Sequence, residues 1–586
     1  MSDDRTTFRW PASAELRWAA GFALVVMAIV CLPYLYGLLI KPEDAYYSGL
    51  LTNPDEHNVY LSYMKQSQEG AFFLIDPFTS EQQHGRVINL FFLALGRSAG
   101  LKHIALPLEY HLARIAAGWL LLMAIYCLGA QAIESIWARR LALWLAAFAS
   151  GFGWLYHAGP GQPNPIDFGP GLLMPEAITF LSLLLNPLFC FSVFLMIAAI
   201  GLGADAFASG RTRSAVLAGL AVLVLGNIHT YDVIPVAVVL AACLTMVAVR
   251  RQPHPAGTAG FSLHLDRTPS PRAERGLARR PSGGKRGEVR RAIMLALLIA
   301  AIAAPSLLYQ FWLLRSGEVT LAIKTAETPV YSPQPLFLAL GLGLPLLLAI
   351  VGLYQAARGG SDAARLLALW LVLGLALCYA PVPFQRKLAQ GIQIPAVLLA
   401  VVGIEPLMSR LRRVRSALAI LLLALVLPSN VLFLLRAKHD LETNNSTYLA
   451  NLMPPLYLRD DQYRALTWLD ARASSRDVLL CNSFLGSYAP SIAGTRVYVG
   501  HWAETLHYTA KLKGFAEFVR AGTPDGSRQA LVRQERVTYV LRDRSIYDEV
   551  SLLSPEGAVM PAFDPDSVAW LERAWSRGAV AVYRVK

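Results

Sequence analysis

Charge is scarce in this 586-residue chain: Asp, Glu, Lys and Arg together make up 16% of it, against roughly 25% in ordinary soluble proteins. That excludes a disordered chain, which is rich in charge and poor in apolar side chains, and equally a conventional soluble enzyme. Cysteine is also sparse. Six residues are too few for a disulfide scaffold of this length. Cys31, Cys127, Cys190, Cys243 and Cys378 lie in apolar runs, where they behave as small hydrophobes. Cys481 alone sits in a polar stretch, so no intramolecular disulfide is expected. Internal repeats are missing, and so are GxGxxG and P-loop patterns. Gly-x-Ser-x-Gly and His-Glu-x-x-His are missing too, which leaves an outward-facing hydrolase without support. What fills the chain instead is apolar: 55% hydrophobic residues and a mean hydropathy of +0.42. This is the composition of a polytopic membrane protein.

A helix needs roughly 20 apolar residues to cross the hydrocarbon core. Runs of that kind lie near 18–40, 107–133, 139–156, 177–203, 213–228, 231–250, 292–314, 335–356, 365–380, 391–408 and 416–436, which predicts about eleven crossings. The first is too long for a signal-peptide core and has no small-residue cleavage site, so it is expected to stay as an anchor. The segment 86–100 is apolar but short, and an interfacial helix is expected there. With eleven crossings, every arginine-rich loop falls on one side: Arg5, Arg9 and Arg17, then Arg139–Arg140, Arg211 with Arg213, Arg358 with Arg365, and Arg410 to Arg415. The stretch 250–291 adds eleven Lys and Arg against three acidic residues. By the positive-inside rule that side is cytoplasmic. The net charge of +13 is therefore a topology signal, and no nucleic-acid partner is expected.

Two domains follow. Residues 1–436 form the transmembrane domain, with a first outer loop at 41–106 and a basic cytoplasmic linker at 250–291. Residues 437–586 form an extracytoplasmic tail. In the tail, helical periodicity over DQYRALTWLDARA, SYAPSIAG and WAETLHYTAKLKGFAEFVRAG alternates with strand-like DVLLCN, TRVYVG, VTYVLRD and VAVYRVK. That alternation predicts a small α/β domain with a mostly parallel sheet.

The outer loops concentrate polar side chains. Asp55-Glu56-His57 opens an expected interfacial helix, with Tyr60 and Tyr63 in its next turn. Capping of a helix start is the rival explanation for such carboxylates. Asp167 and Glu176 belong to the second loop, Glu176 at the mouth of a span, where an ionisable group is a functional candidate. His229, Tyr231 and Asp232 crowd the short third loop. Arg386-Lys387 in the fifth loop is an adjacent basic pair against the positive-inside trend. It suits an anion such as a lipid phosphate or pyrophosphate, with snorkelling to headgroups as the alternative.

The stretch NPDEHNVYLSYMKQSQEG followed by DPFTSE resembles the first outer loop of the C-type glycosyltransferases (GT-C), the polytopic enzymes that include protein O-mannosyltransferases and lipid A aminoarabinose transferase. PEAITFLSLLLNP, NIHTYDVIP, FQRKLAQGIQIP and GHWAETLHYTAK are similar to blocks of an uncharacterised GT-C-like subgroup. The resemblance implies transfer of a sugar from a polyprenyl-phosphate carrier to an acceptor on the extracytoplasmic side, in a plasma-membrane protein. The family's acidic residue matches Asp55, or Glu56 if the register is one residue off; it would deprotonate or orient the acceptor hydroxyl. A single displacement would invert the anomeric centre. Arg386 and Lys387 would hold the leaving phosphate, and Tyr60, Asp167, Glu176, His229, Asp232, His501 and Glu504 would line the substrate site. Some members need a divalent cation such as Mg or Mn, for which Asp55, Asp167 and Glu176 are candidate oxygen ligands; others need none, and the metal stays open. The alternative function is a non-enzymatic transporter or flippase of lipid-linked sugars. It would favour paired inverted repeats and midplane polar residues, neither of which the sequence displays.

Overall fold

The computed structural model describes residues 10–156, 174–250, 283–316, 330–444, 454–544 and 561–586. Most of the linker 250–291, and Asp167 with it, lie outside the described residues. Among the described residues, seven helices are long and apolar enough to cross a membrane: Ser13–Leu39, Leu106–Ala132, Pro187–Ser209, Thr230–Val249, Gly287–Arg315, Pro335–Arg358 and Gln385–Arg410. The pair Arg415–Val426 and Pro428–Thr443, bent by 44°, makes an eighth if it is one span. The other three expected crossings hold shorter helices, Ile136–Phe148, Thr212–Ile228 and Asp362–Leu377. At 1.5 Å per residue these reach roughly 20–25 Å, short of a core about 30 Å thick. The expected run at 177–203 is broken. Asn186 ends one helix, Thr179–Leu185, and its side chain accepts from Leu188 N–H to cap the next, with Pro187 at the first position. Proline fits there because its missing N–H would be unpaired anyway.

The first outer loop carries two helices, Pro54–Gln68 (the loop helix) and Leu90–Lys102. The second is 13 residues long, too short to span. Gly96 lets the two touch: a Cβ there would stand 2.3 Å from the Met64 carbonyl oxygen. A strand of the same loop, β1 (Ala45–Tyr47), pairs antiparallel with β2 (Tyr457–Arg459) at the start of the tail, and Tyr46 stacks on Tyr463 with ring centroids 3.9 Å apart. The helix Pro428–Thr443 runs without interruption through 436–437, and the membrane core extends to Leu441 and Tyr457.

The tail sheet has five strands, β3 (Val478–Leu480), β4 (Arg496–Val497), β5 (Val537–Asp543), β6 (Leu571–Arg577) and β7 (Val580–Val585), in the order β4-β3-β5-β7-β6. Its first three strands are parallel, but β5–β7 and β7–β6 are antiparallel. The sheet is therefore mixed, not mostly parallel. The short turn between β6 and β7 makes a hairpin, which forces that antiparallel pairing. Period-two alternation sends Leu479, Leu541 and Val582 to one face, under helices Asp460–Asp470 and Ser483–Ile492. It sends Val478, Leu480, Val540 and Tyr583 to the other, with Phe515, Phe518 and Val532 of helices Tyr508–Val519 and Asp525–Gln534. Two expectations shift: TRVYVG gives only the two-residue β4, and the helix expected from WAETLH begins at Tyr508.

Candidate functional site

The loop helix starts sharply. Asn53 takes the left-handed conformation (φ 45°) and Pro54 sets the first helical φ, a role Asn tolerates better than most residues. Asp55 and Glu56 fall in the first turn, where carboxylates are favoured by the helix dipole. Glu56 is half-buried, whereas Asp55 is only 5% exposed. What buries Asp55 is the tail. Ser487 Oγ donates to Asp55 Oδ1 at 2.6 Å, and one turn on Ser491 Oγ donates to Asn58 Oδ1 at 3.1 Å. Gly486 permits the approach of that tail helix to the segment just past β4: a Cβ there would be 2.0 Å from the Val499 carbonyl.

His501 completes this corner. Its ring is 1% exposed and packs edge-on to Phe78. Nδ1 accepts from Ala503 N–H at 3.0 Å, so a neutral ring carries its proton on Nε2. Nε2 is buried and has no hydrogen-bond partner among the described residues. Burial raises the Asp55 carboxyl above its ordinary range, opposed by the charge of His501 and the Ser487 hydrogen bond and helped by Glu56. A carboxylate whose proton affinity is raised by burial therefore lies within electrostatic reach of a buried, unused donor. An unmade buried hydrogen bond costs roughly 1–3 kcal/mol, which a bound oxygen atom would recover.

Beneath Asp55 lies a polar cluster that sequence reasoning missed. His57 Nδ1 and Nε2 lie 3.0 and 3.1 Å from the Asn53 and Leu185 carbonyls. Burial lowers its affinity for a second proton, and a neutral ring donates to only one of the two. Tyr110 Oη also donates to Leu185 O. Arg114, fully buried, donates to Leu183 O, His111 Nδ1 and Cys31 Sγ and lies over the Tyr34 ring at 4.6 Å. Among the described residues no carboxylate pairs with it. The signal was legible: Tyr110, His111 and Arg114 interrupt an apolar run at helical spacing, and intramembrane polar groups are functional candidates.

A second cluster joins loops two, three and five. Glu176 Oε1 lies 3.2 Å from Arg386 Nη2, and Gly391 N–H donates to the Glu176 carbonyl at 2.9 Å. Glu176 Oε2, Arg386 Nε and both amide atoms of Gln390 are buried without hydrogen-bond partners among the described residues. Gln390, 1% exposed, was not singled out from sequence because an amide in a polar loop is unremarkable. Lys387 goes elsewhere, over the Tyr231 ring at 4.7 Å. The basic pair thus has two different partners. His229 Nδ1 lies 2.9 Å from Asp232 Oδ2, and Asp232 is fully buried. His229 Nδ1 and both carboxylate oxygens of Asp232 are buried without a hydrogen-bond partner among the described residues.

The two clusters meet opposite ends of one short helix. His57 reaches Leu185 at its end, and Arg386 reaches Glu176 just before its start at Thr179. Seven residues of helix put roughly 10 Å between those ends. Tyr60 stacks on Phe92 at 4.5 Å, so one of its faces is occupied. Glu504 N–H donates to the His501 carbonyl at 3.2 Å, which keeps it beside the first cluster. No group of three or more His, Cys, Asp or Glu that would hold a metal occurs among the described residues. Asp55 is engaged by Ser487 and Glu176 by Arg386, and Asp167, the third candidate oxygen ligand, lies outside the described residues.

No protein-family model matches the chain, and no curated protein does. Solved structures do. Arabinofuranosyltransferase AftD from Mycobacteria is 12% identical with a TM-score of 0.53, over 99% of this chain and 40% of that one. The Archaeoglobus fulgidus oligosaccharyltransferase, tethered with an acceptor peptide, is 14% identical with a TM-score of 0.48, over 92% and 71%. ArnT from Cupriavidus metallidurans, bound to undecaprenyl phosphate, is 11% identical with a TM-score of 0.47, over 96% and 98%. The chain spans less than half the length of the arabinofuranosyltransferase, and at this identity the likeness is one of fold. The fold shared with the arabinofuranosyltransferase is that of a polytopic helical membrane protein whose C-terminal part contains a β-sheet.

Proposed function

We propose that this chain transfers a sugar from a polyprenyl-phosphate carrier to an acceptor on the extracytoplasmic face, with inversion at the anomeric carbon. The observation that carries the proposal is the Asp55 corner: a buried carboxylate, held by the tail, with the unpartnered Nε2–H of His501 in electrostatic reach. The fold supports it, because the likeness is to a glycosyltransferase.

In this reading the acceptor oxygen attacks the anomeric carbon while its proton passes to Asp55. The bond from that carbon to the phosphate oxygen breaks, and the electron pair leaves with the phosphate. Arg386 stabilises the departing charge, a term worth several kcal/mol where donors are fixed in advance. His501 Nε2–H orients an oxygen of the acceptor or the sugar. Incubating the purified protein with a panel of polyprenyl-phosphate sugars, and following donor loss by mass spectrometry, tests the reading. Consumption of one donor with release of the free polyprenyl phosphate is expected. Intact donors across the panel, with every acceptor class supplied, would remove it.

A further inference from the structure

The tail carries a second site that the transfer chemistry does not use. A groove of about 580 Å³ runs between helix Asp460–Asp470 and the edge strand β6, lined by Arg464, Thr467, Trp468, Arg472, Trp575 and Arg577. Arg464 and Trp468, four residues apart, share one helical face, and Arg472 follows in the turn just past the helix end. Trp575 reaches the groove through a register shift. Leu571 packs on the sheet face of Phe515 and Phe518, and plain alternation would send 573 and 575 to that same face. The β6–β7 pairing slips between Arg573 and Trp575, one extra residue on β6. A bulge of this kind turns the following side chains over, and Trp575 packs instead beside the core under the helix.

The charge in the groove is unbalanced. Asp460 is the one carboxylate its arginines share, bonded by Arg464 Nε and Arg577 Nη2 at 2.7 Å each. The other acids of that helix are committed: Asp461 to Arg459 and the Ala579 N–H, Asp470 to Lys65. Arg472 is exposed and stacks on Trp468 at 4.6 Å. Three guanidiniums against one carboxylate, over two indoles, match a ligand with flat C–H faces and a negative group. Indole faces take the C–H face of a sugar ring, and a guanidinium fork takes a carboxylate or phosphate through two parallel hydrogen bonds.

We propose that this groove binds an acidic saccharide, a glycan segment bearing carboxylate or phosphate. The site stands independently of the transferase reading, because binding is measured without turnover. The full chain in detergent would be titrated with a short oligogalacturonate and, separately, with its methyl ester, following tryptophan fluorescence and heat. Binding of the acid form is expected, weakened at least tenfold by esterification, by Arg472→Gln or by Trp575→Ala, and weakened by added salt. Arg472 is exposed, so its variant folds; Trp575→Phe, keeping an aromatic face, is expected to retain part of the affinity if Trp575→Ala unfolds. Absence of binding, equal binding of the ester, or indifference to Arg472→Gln would each overturn the proposal. So would stronger binding of phosphatidylglycerol vesicles through the same residues, which would make the groove a lipid-surface contact.

Discussion

Asp55 and Asn58 face two serines of the tail across one interface, but only Asp55 bears a charge there, and the charge is what burial penalises. Because the folded carboxyl holds its proton above the ordinary range, its contribution to stability is present at low pH and lost as pH rises through the folded value. Asp55→Asn should therefore melt no lower than the parent at neutral pH, and higher if the Ser487 contact survives. Turnover should meanwhile fall by roughly 10²–10⁴, the usual worth of a general base. The base works only when deprotonated, so the acid limb of kcat/KM should lie above the pH of about 4 usual for a carboxylate. Near-normal turnover in Asp55→Asn would shift attention to Glu56. The Glu176–Arg386 pair yields a second expectation. A phosphate on Arg386 must displace or share Glu176 Oε1. Glu176→Gln should then tighten donor binding several-fold, while Arg386→Ala weakens both binding and turnover. Arg386→Lys should recover only part, since a point charge does not reproduce a two-pronged contact. A Glu176→Gln enzyme with weaker donor binding would assign the pair to architecture instead.

At the scale of elements, the sequence was most legible where period and length agree. DQYRALTWLDARA and VTYVLRD form the helix and strand expected of them. Legibility failed where tertiary contacts override local pattern. WAETLH has helical composition, but His501 turns inward against Phe78 and the Thr505 hydroxyl donates to Phe78 O in the first loop, so the helix waits until Tyr508. The sequence LERAWSR has no alternation because its bulge resets the phase at Ala574, and β6 went unforeseen. Asp55 was found by its place before an apolar periodic run, yet its partners Ser487 and His501 lie more than 400 residues away, where no spacing rule reaches. The element that joins them is testable through Gly486. In Gly486→Ala the new methyl meets the Val499 carbonyl, two residues before His501. Overpacking of this kind costs roughly 1–3 kcal/mol. A lower melting temperature and a several-fold loss of turnover are expected. Gly526→Ala, with nothing near the added methyl, is the control. Identical behaviour of the two variants would detach the tail helix from the site.

For the whole molecule, the open number is the count of crossings, because parity decides which side the tail occupies. Eight spans would return the tail to the side of the N-terminus; eleven put it opposite. We propose eleven, from the way contacts gather the loops into two sets. Glu15 pairs with Arg139, Glu405 accepts from Ser135 N–H, and Arg415 lies over Trp137, which gathers one set of loops. Arg386 with Glu176, Lys387 with Tyr231, and β1 with β2 gather the other set, the tail among them. Helix Ile136–Phe148 starts in the first set. Just past its end, Ala149 O accepts from Gln393, whose other amide atom accepts from Thr179 N–H in the second. Even this 13-residue helix connects the two, which a locally thinned bilayer permits at modest cost. We therefore expect Lys513→Cys in the tail to react with a membrane-impermeant maleimide on intact cells, and Arg412→Cys to react only after lysis. Both positions are exposed, and the parent's six thiols, four buried and two half-buried, set the background. The reverse pattern would place Asp55 and the basic pair in the cytoplasm, where the positive-inside asymmetry would have to be wrong in every loop at once. Labelling of both positions from one side would mean that the bent pair Arg415–Val426 and Pro428–Thr443, which lies between them, does not cross the membrane.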